Sequence, residues 1–347
     1  MTSNKTIRGV AAAVTLGAVV AIGATATQAQ DGPFRLIITE VETPLVPNSV
    51  MILADELGYF DDAGVDVELV RVTDTTLAVA ALQAGEGEMA NVALDAALQV
   101  VANDVLDVRA VTTPDKFIPF LIACKDSVET VADMAGLNYG VNRVGSLDFG
   151  LARMVMTANG LDPETVEYVP IGFTSARAEA LAAGQIDCTT ISIGVWLSIP
   201  DRTGLKILVP VAEFGDAAPV VNKTNLVTTD TLANRGDEVQ AVVAALINLS
   251  REFNSNPQAW VEAMMNSRPD LDEETLAALA ESFVGAWSVN GGLNSDQLSF
   301  SVGEIFAGED FVGLEAPTLE EWVDFTVIDA VLAEVGVDDT ADAPVRP

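Results

Sequence analysis

One short pattern occurs twice in the chain, about a hundred residues apart. The first copy is Leu82-Gln83-Ala84-Gly85-Glu86-Gly87-Glu88-Met89-Ala90, and the second is Leu181-Ala182-Ala183-Gly184-Gln185-Ile186-Asp187-Cys188-Thr189. Each reads as the end of an apolar helix, a glycine stop, an acidic residue and a small-residue strand. A helix–turn–strand unit of this kind buries its apolar face only within a larger α/β layer. Two such units therefore predict two similarly built α/β lobes with a cleft between them, and clefts of that kind hold small ligands.

The first 29 residues are predicted to lie outside that fold. Lys5 and Arg8 are followed by an apolar run over Val10–Gly23, then by small-residue cleavage sites at Ala24-Thr25-Ala26 and Thr27-Gln28-Ala29. This is the pattern of a secretory signal peptide, with an uncleaved N-terminal anchor as the alternative. From position 30 onward the chain carries 15 basic and 51 acidic residues, a balance of −36. Such a surface repels nucleic acid and anionic lipid, so neither is expected as a partner. Adaptation to salty surroundings and a merely acidic exported protein both account for it. Residues 115–215 hold 7 basic and 12 acidic side chains, against 8 and 39 in the remainder after position 29. An anion grip is therefore expected in the middle section.

The chain has no histidine. That removes Ser-His-Asp and Cys-His catalysis and every histidine-containing metal site. Its two cysteines, Cys124 and Cys188, are too few for a structural zinc site. In an exported protein they can pair in one disulfide; two buried free thiols are the commoner arrangement. No metal or cofactor is expected.

Strand and helix signals alternate through residue 211, with the first section ending at Thr113-Pro114. A strand over 220–228 leaves the middle section, and the rest is mainly helical, including 238–254, 257–266, 272–283, 294–305 and 319–335. The final dozen acidic, proline-containing residues are expected to fray. The repeated strand–helix order predicts mostly parallel sheets.

Several segments resemble a known family. Met51-Ile52-Leu53-Ala54-Asp55-Glu56-Leu57-Gly58-Tyr59-Phe60-Asp61-Asp62-Ala63-Gly64-Val65-Asp66-Val67-Glu68 is similar to the opening signature of nitrate/sulfonate/taurine-type substrate-binding proteins of ABC transporters. So are Val131-Ala132-Asp133-Met134-Ala135-Gly136-Leu137, both repeats, Gly160-Leu161-Asp162-Pro163-Glu164-Thr165-Val166, and Asn256-Pro257-Gln258-Ala259-Trp260 after a long helix. The resemblance spans residues 34–335. Lysines usual in the second motif are absent here, and Glu88 stands where aspartate is usual. The resemblance implies a type II periplasmic binding-protein fold: α/β, two Rossmann-like lobes with mixed, mostly parallel sheets joined by a two-strand hinge. It implies lobe one as 34–114 plus 216–335, lobe two as 115–215, and a flexible tail at 336–347.

In open α/β sheets, ligands lie beyond the C-terminal ends of strands, near helix starts. The loop Asn142–Asp148 is the leading candidate. Ser146 there either caps a helix or donates to a ligand, and Arg143 either grips an anion or pairs with a surface acid. Asn91 and Asp95 follow a lobe-one strand; Asn91 is suited to orient a ligand, Asp95 to cap its helix or meet an amine. Thr43 and Asn48 flank the first loop as ligand donors or turn residues. Lys116, beside Phe117, sits at the crossover as a cleft-floor contact or a solvated hinge residue. Trp196 lies where the family often places an aromatic near the cleft, and stacking on a ligand or core packing are its two readings.

These features predict a periplasmic receptor, acting as a monomer, that delivers a small organic solute to an ABC permease. One or two basic residues near the cleft, with an apolar Trp196, favour an organic monoanion such as a sulfonate or carboxylate over a small inorganic ion. A solute-sensing subunit docking on a membrane receptor is the alternative. A pyrimidine-precursor enzyme on the same fold is disfavoured by the missing histidine and the export signal.

Overall fold

Ten strands sort into two five-stranded sheets in the computed structural model, which describes residues 32–339 and 344–347. The expected signal segment 1–29 lies outside the described residues. The strands are β1 (Phe34–Ile38), β2 (Val67–Arg71), β3 (Met89–Ala93), β4 (Val108–Asp115), β5 (Phe120–Lys125), β6 (Asn138–Val141), β7 (Glu167–Pro170), β8 (Cys188–Ser192), β9 (Leu205–Val209) and β10 (Lys223–Thr228). The first sheet has the order β2-β1-β3-β10-β4 and the second β7-β6-β8-β5-β9. Each has three parallel strands, then one running against both its neighbours. The fold is thus α/β with two mixed sheets, as expected.

The inner strand β1 is largely apolar because it is covered on both faces. In β1, Phe34, Leu36, Ile37 and Ile38 are fully buried. The C-terminal helices add an aromatic core of Phe253, Trp260, Phe283 and Trp287 against the first sheet's half. Trp260 also donates its indole N–H to Ser49 at 2.9 Å, which anchors these helices to the start of helix Val50–Glu56.

The two sequence repeats occupy equivalent places, immediately before β3 and β8. Gly85 and Gly184 both have φ +73°, the left-handed turn that ends the preceding helix without a Cβ clash. The repeat acids then act alike. Glu88 accepts the backbone N–H of Arg35 in β1 at 2.7 Å, and Asp187 accepts that of Asn138 at the start of β6 at 3.0 Å. Each is also paired with a cation, Glu88 with Arg35 and Asp187 with Lys125, both at 2.6 Å. Burial opposes both charges, but these partners outweigh it, and both carboxyls fall below their ordinary values.

Cys124 and Cys188 stand directly opposite in the antiparallel β5/β8 pair and are joined as a disulfide. Two free thiols are the commoner arrangement for strand cysteines; here the register brings the pair face to face.

The chain crosses from the first sheet to the second between β4 and β5, and returns through helix Val211–Ala217 before β10. The two crossings are tied: Asn222 donates its backbone N–H to the Asp115 carbonyl at 3.1 Å and its side-chain amide to the Asp115 carboxyl at 2.6 Å. Burial pushes that carboxyl up to about 7, against the pull of Asn222 and Lys223. At the C-terminus, expected to fray, Val345 accepts from Ser295 at 3.0 Å and Arg346 pairs with Asp329 at 2.7 Å.

Candidate functional site

The C-terminal ends of the parallel strands carry buried polar clusters in both halves. In the first, β1 runs into Thr39 and Glu40, and β10 begins beside them at Lys223. Lys223 pairs with Glu40 and donates to Thr39 Oγ1 at 2.6 Å. Asn48 donates both amide hydrogens, to Glu40 Oε1 and to Asn91 Oδ1, each at 2.9 Å. Asn91 in turn donates to Asn225 at 2.8 Å. Glu40 Oε2 and Asn48 Oδ1 are buried without a hydrogen-bond partner.

In the second half the loop after β6 folds back on helix Leu147–Ala158. Ser146 occupies the N-cap position, yet its hydroxyl turns to the Arg143 carbonyl at 2.7 Å and Asp148 Oδ1 at 2.6 Å. Of the two roles expected of Ser146, capping is absent, because the side chain is turned toward Arg143 and Asp148 and away from the first helical amides. Asp148 Oδ2 accepts the Asn142 N–H at 3.2 Å and meets Arg177 at 3.0 Å. Arg177 is buried and donates to the carbonyls of Gly172 at 2.8 Å and Thr190 at 2.9 Å. Burial lowers its pKa, with Asp148 opposing the shift. Tyr139 and Thr190 share a hydrogen bond of 2.6 Å beneath this pair.

Between the halves lies a cavity of about 330 Å³. Arg143, Gly145, Ser146 and Phe149 line it from the second half; Asp95, Glu304, Glu309 and Phe311 line it from the first. Arg143 reaches across to Glu309 at 3.4 Å. Larger grooves exist, including one of about 510 Å³, but that one lies at the N-terminal end of β4 among Asp104, Asp107 and Glu315, away from the strand ends that converge here.

Three of the eight residues expected at a ligand, Arg143, Ser146 and Asp95, meet at this cavity. Asp95 does not cap its helix: Ala93 holds that position, and Asp95 accepts only the next backbone N–H, at 2.8 Å. Asn48 and Asn91 form the buried amide row. Thr43 is engaged with Ser267 at 2.5 Å, and its carbonyl accepts from Arg268 at 3.1 Å. Lys116 is buried and borders a separate cavity of about 500 Å³ with Phe117 and Gln297. Trp196 is buried, does not line the 330 Å³ cavity, and carries Arg202 over its ring at 5.6 Å. Sequence reasoning missed Glu40, Lys223 and Arg177, and included Asp148 only as the end of the candidate loop. Arg177 reads as an ordinary helix residue, and only tertiary contact pairs it with Asp148.

Two α/β units of the same strand plan, with a cavity between them, define a two-sheet α/β fold of the kind seen in periplasmic binding proteins. The chain belongs to the NMT1/THI5-like family, whose model matches residues 48–259. Solved structures share its fold. A putative periplasmic sulfonate-binding protein, SsuA from Methylobacillus flagellatus, is 14% identical with a TM-score of 0.67, covering 91% of this chain and 98% of that one. The periplasmic aliphatic sulphonate binding protein SsuA from Escherichia coli is 14% identical with a TM-score of 0.62, covering 86% and 99%. The desulfurization enzyme DSZB is 15% identical with a TM-score of 0.58, covering 87% and 99%. No curated protein sequence matches the chain.

Proposed function

We propose that the chain is a periplasmic solute receptor that hands a small organic anion to an ABC permease. Its two sheet-bearing halves act as lobes that close on the solute, each supplying contacts. The observation that carries this reading is the 330 Å³ cavity shared between the 142–150 loop and residues 95 and 304–311. That volume suits a small ligand. Free amides at the start of helix Leu147–Ala158 and the Arg143 guanidinium converge on one acidic group. Glu309, now 3.4 Å from Arg143, gives way to that group on binding. Asp95, Glu304 and Asp310 around the same cavity repel further negative charge, which favours a monoanion such as a sulfonate or carboxylate. The sulfonate-binding proteins of like fold support the same class. A receptor without turnover is supported by a chain with no histidine and both cysteines in a disulfide.

A thermal-shift screen against a solute library identifies the ligand, since a binder of the native state raises apparent stability. Calorimetry on Arg143→Ala should then show binding weaker by about 1.5–3 kcal/mol, the worth of a charged hydrogen bond, with folding nearly unchanged. Unchanged affinity would place the acid group elsewhere. Turnover of the solute by pure protein would sink the receptor reading.

A further inference from the structure

We propose that Glu40 and Asn48, at the C-terminal end of the first sheet, form a subsite for an N–H-bearing group of the solute, a primary amide or an amine. The proposal rests on the reading that the solute lies at the strand ends, and it adds a second recognition element to the acid grip.

The argument starts from hydrogen-bond accounting. Asn48 is 1% exposed. Its amide nitrogen spends both hydrogens, on Glu40 Oε1 and Asn91 Oδ1, which fixes the orientation of the side chain. Asn48 Oδ1 is left buried with no donor. Glu40 Oε1 receives Asn48 and Lys223, while Glu40 Oε2 is left buried with no donor. Buried acceptors are normally paired, and leaving two unpaired costs a folded chain stability. The two side chains are joined by one hydrogen bond, which ties the carboxyl carrying one open acceptor to the amide carrying the other.

Chemistry narrows the occupant. An anion is refused, because both open atoms are acceptors. A bare divalent metal cation is disfavoured because two open oxygens fall well short of the six or more ligands it takes. A nitrogen carrying two or more hydrogens satisfies both acceptors at once. Asn91 and Asn225 brace the row from behind by their 2.8 Å hydrogen bond, so the acceptors are held in place before the solute arrives.

Nuclear magnetic resonance on the full chain tests this with three probes: acetamide, methylammonium and N,N-dimethylacetamide. Acetamide or methylammonium should shift the Asn48 side-chain amide signals saturably, and whichever binds tells whether the group is neutral or charged. N,N-dimethylacetamide, which has no N–H, should not. Glu40→Gln should weaken the response about tenfold, the loss of one charged hydrogen bond, while the remaining spectrum reports an intact fold. None of the probes carries an acid group, so Arg143→Ala should leave their saturation unchanged; this separates the subsite from the anion grip. No saturable shift with either N–H probe overturns the proposal, as does an equal shift with N,N-dimethylacetamide. A bridging water on Glu40 Oε2 and Asn48 Oδ1 that soaked acetamide does not displace overturns it as well.

Discussion

The half built on the first sheet and the half built on the second share a strand plan, yet they divide one contact in opposite ways. In the first, Gly87 precedes β3 and Ile37 of β1 fills the space beside it; a Cβ on Gly87 would lie 2.6 Å from Ile37. In the second, the repeat places Ile186 where Gly87 stands, and Gly140 of β6 where Ile37 stands. A Cβ on Gly140 would lie 2.6 Å from Ile186. The gap between the parallel strands admits one isoleucine, and it does not matter which strand supplies it. The polar ends diverge further. Asn91 of the first half is matched in register by Thr190 of the second. The first half therefore presents an amide row, and the second an Asp148–Arg177 ion pair. A shared scaffold thus carries unlike polar groups at its two sets of strand ends.

The largest expected difference between the halves is the disulfide, which the first half lacks: Met89 holds the position of Cys188. Replacing Cys124 and Cys188 with serine should cost about 2–4 kcal/mol, read as a lower melting temperature. Reducing agent should lower the wild type alike and leave the variant unmoved. An equal effect of reductant on both would show the bond to be unformed.

Gly140→Ile should cost about 3 kcal/mol, the upper end for overpacking, because a second branched side chain meets Ile186. Adding Ile186→Gly should recover much of that loss, since it copies the first half's arrangement. Simple addition of the two losses in a double-mutant cycle would break the equivalence of the halves.

The repeat acids should differ less. Glu88 also lies 3.5 Å from the buried Arg235, so Glu88→Gln should cost about 1.5–3 kcal/mol. Asp187 pairs with a more exposed Lys125, and Asp187→Asn should cost about 1 kcal/mol. Both carboxyls are held below their ordinary values of 4.5 and 3.8. Their contribution is therefore complete above those values and is lost as pH falls through the lower folded-state values. Acid melts of each variant should be flatter than the wild type in that range; identical slopes would contradict the pairing. Asp115 has the opposite sign: its carboxyl is raised to about 7, so its contribution is present below pH 4 and lost as pH rises toward 7.

The smallest effect concerns salt. Because residues 115–215 carry a balance of −5 and the remainder after position 29 a balance of −31, added sodium chloride should protect the first half's amides from hydrogen exchange more than the second's. Equal protection in both would remove the acidic asymmetry as a factor in stability.

Much of this fold was legible in the chain. The repeated glycine stop and acid located β3 and β8, because a left-handed turn and a strand-end N–H each demand particular residue types. The apolar runs of β1 and β5 announced buried strands. The short helices Ile193–Leu197 and Val211–Ala217 were not legible, because few turns leave no periodicity to read. Of the candidate site, the 142–148 loop was visible through its glycine, serine and arginine at a helix start. The partners of those residues were not. Ser146 looked like a cap until Asp148 claimed its hydroxyl, and Asp95 looked like a cap until Ala93 took the position.

The sequence by itself determined the class of the layers, the two equivalent units and the exclusion of histidine chemistry, because these depend on local spacing and on which side chains exist. Only the tertiary structure decided that Cys124 faces Cys188, that Arg177 is buried on Asp148, and that Glu40, Asn48 and Lys223 converge from positions 40 to 223. Those contacts join residues distant in the chain, and their partners are set by strand order and register. No local pattern of residues encodes either one.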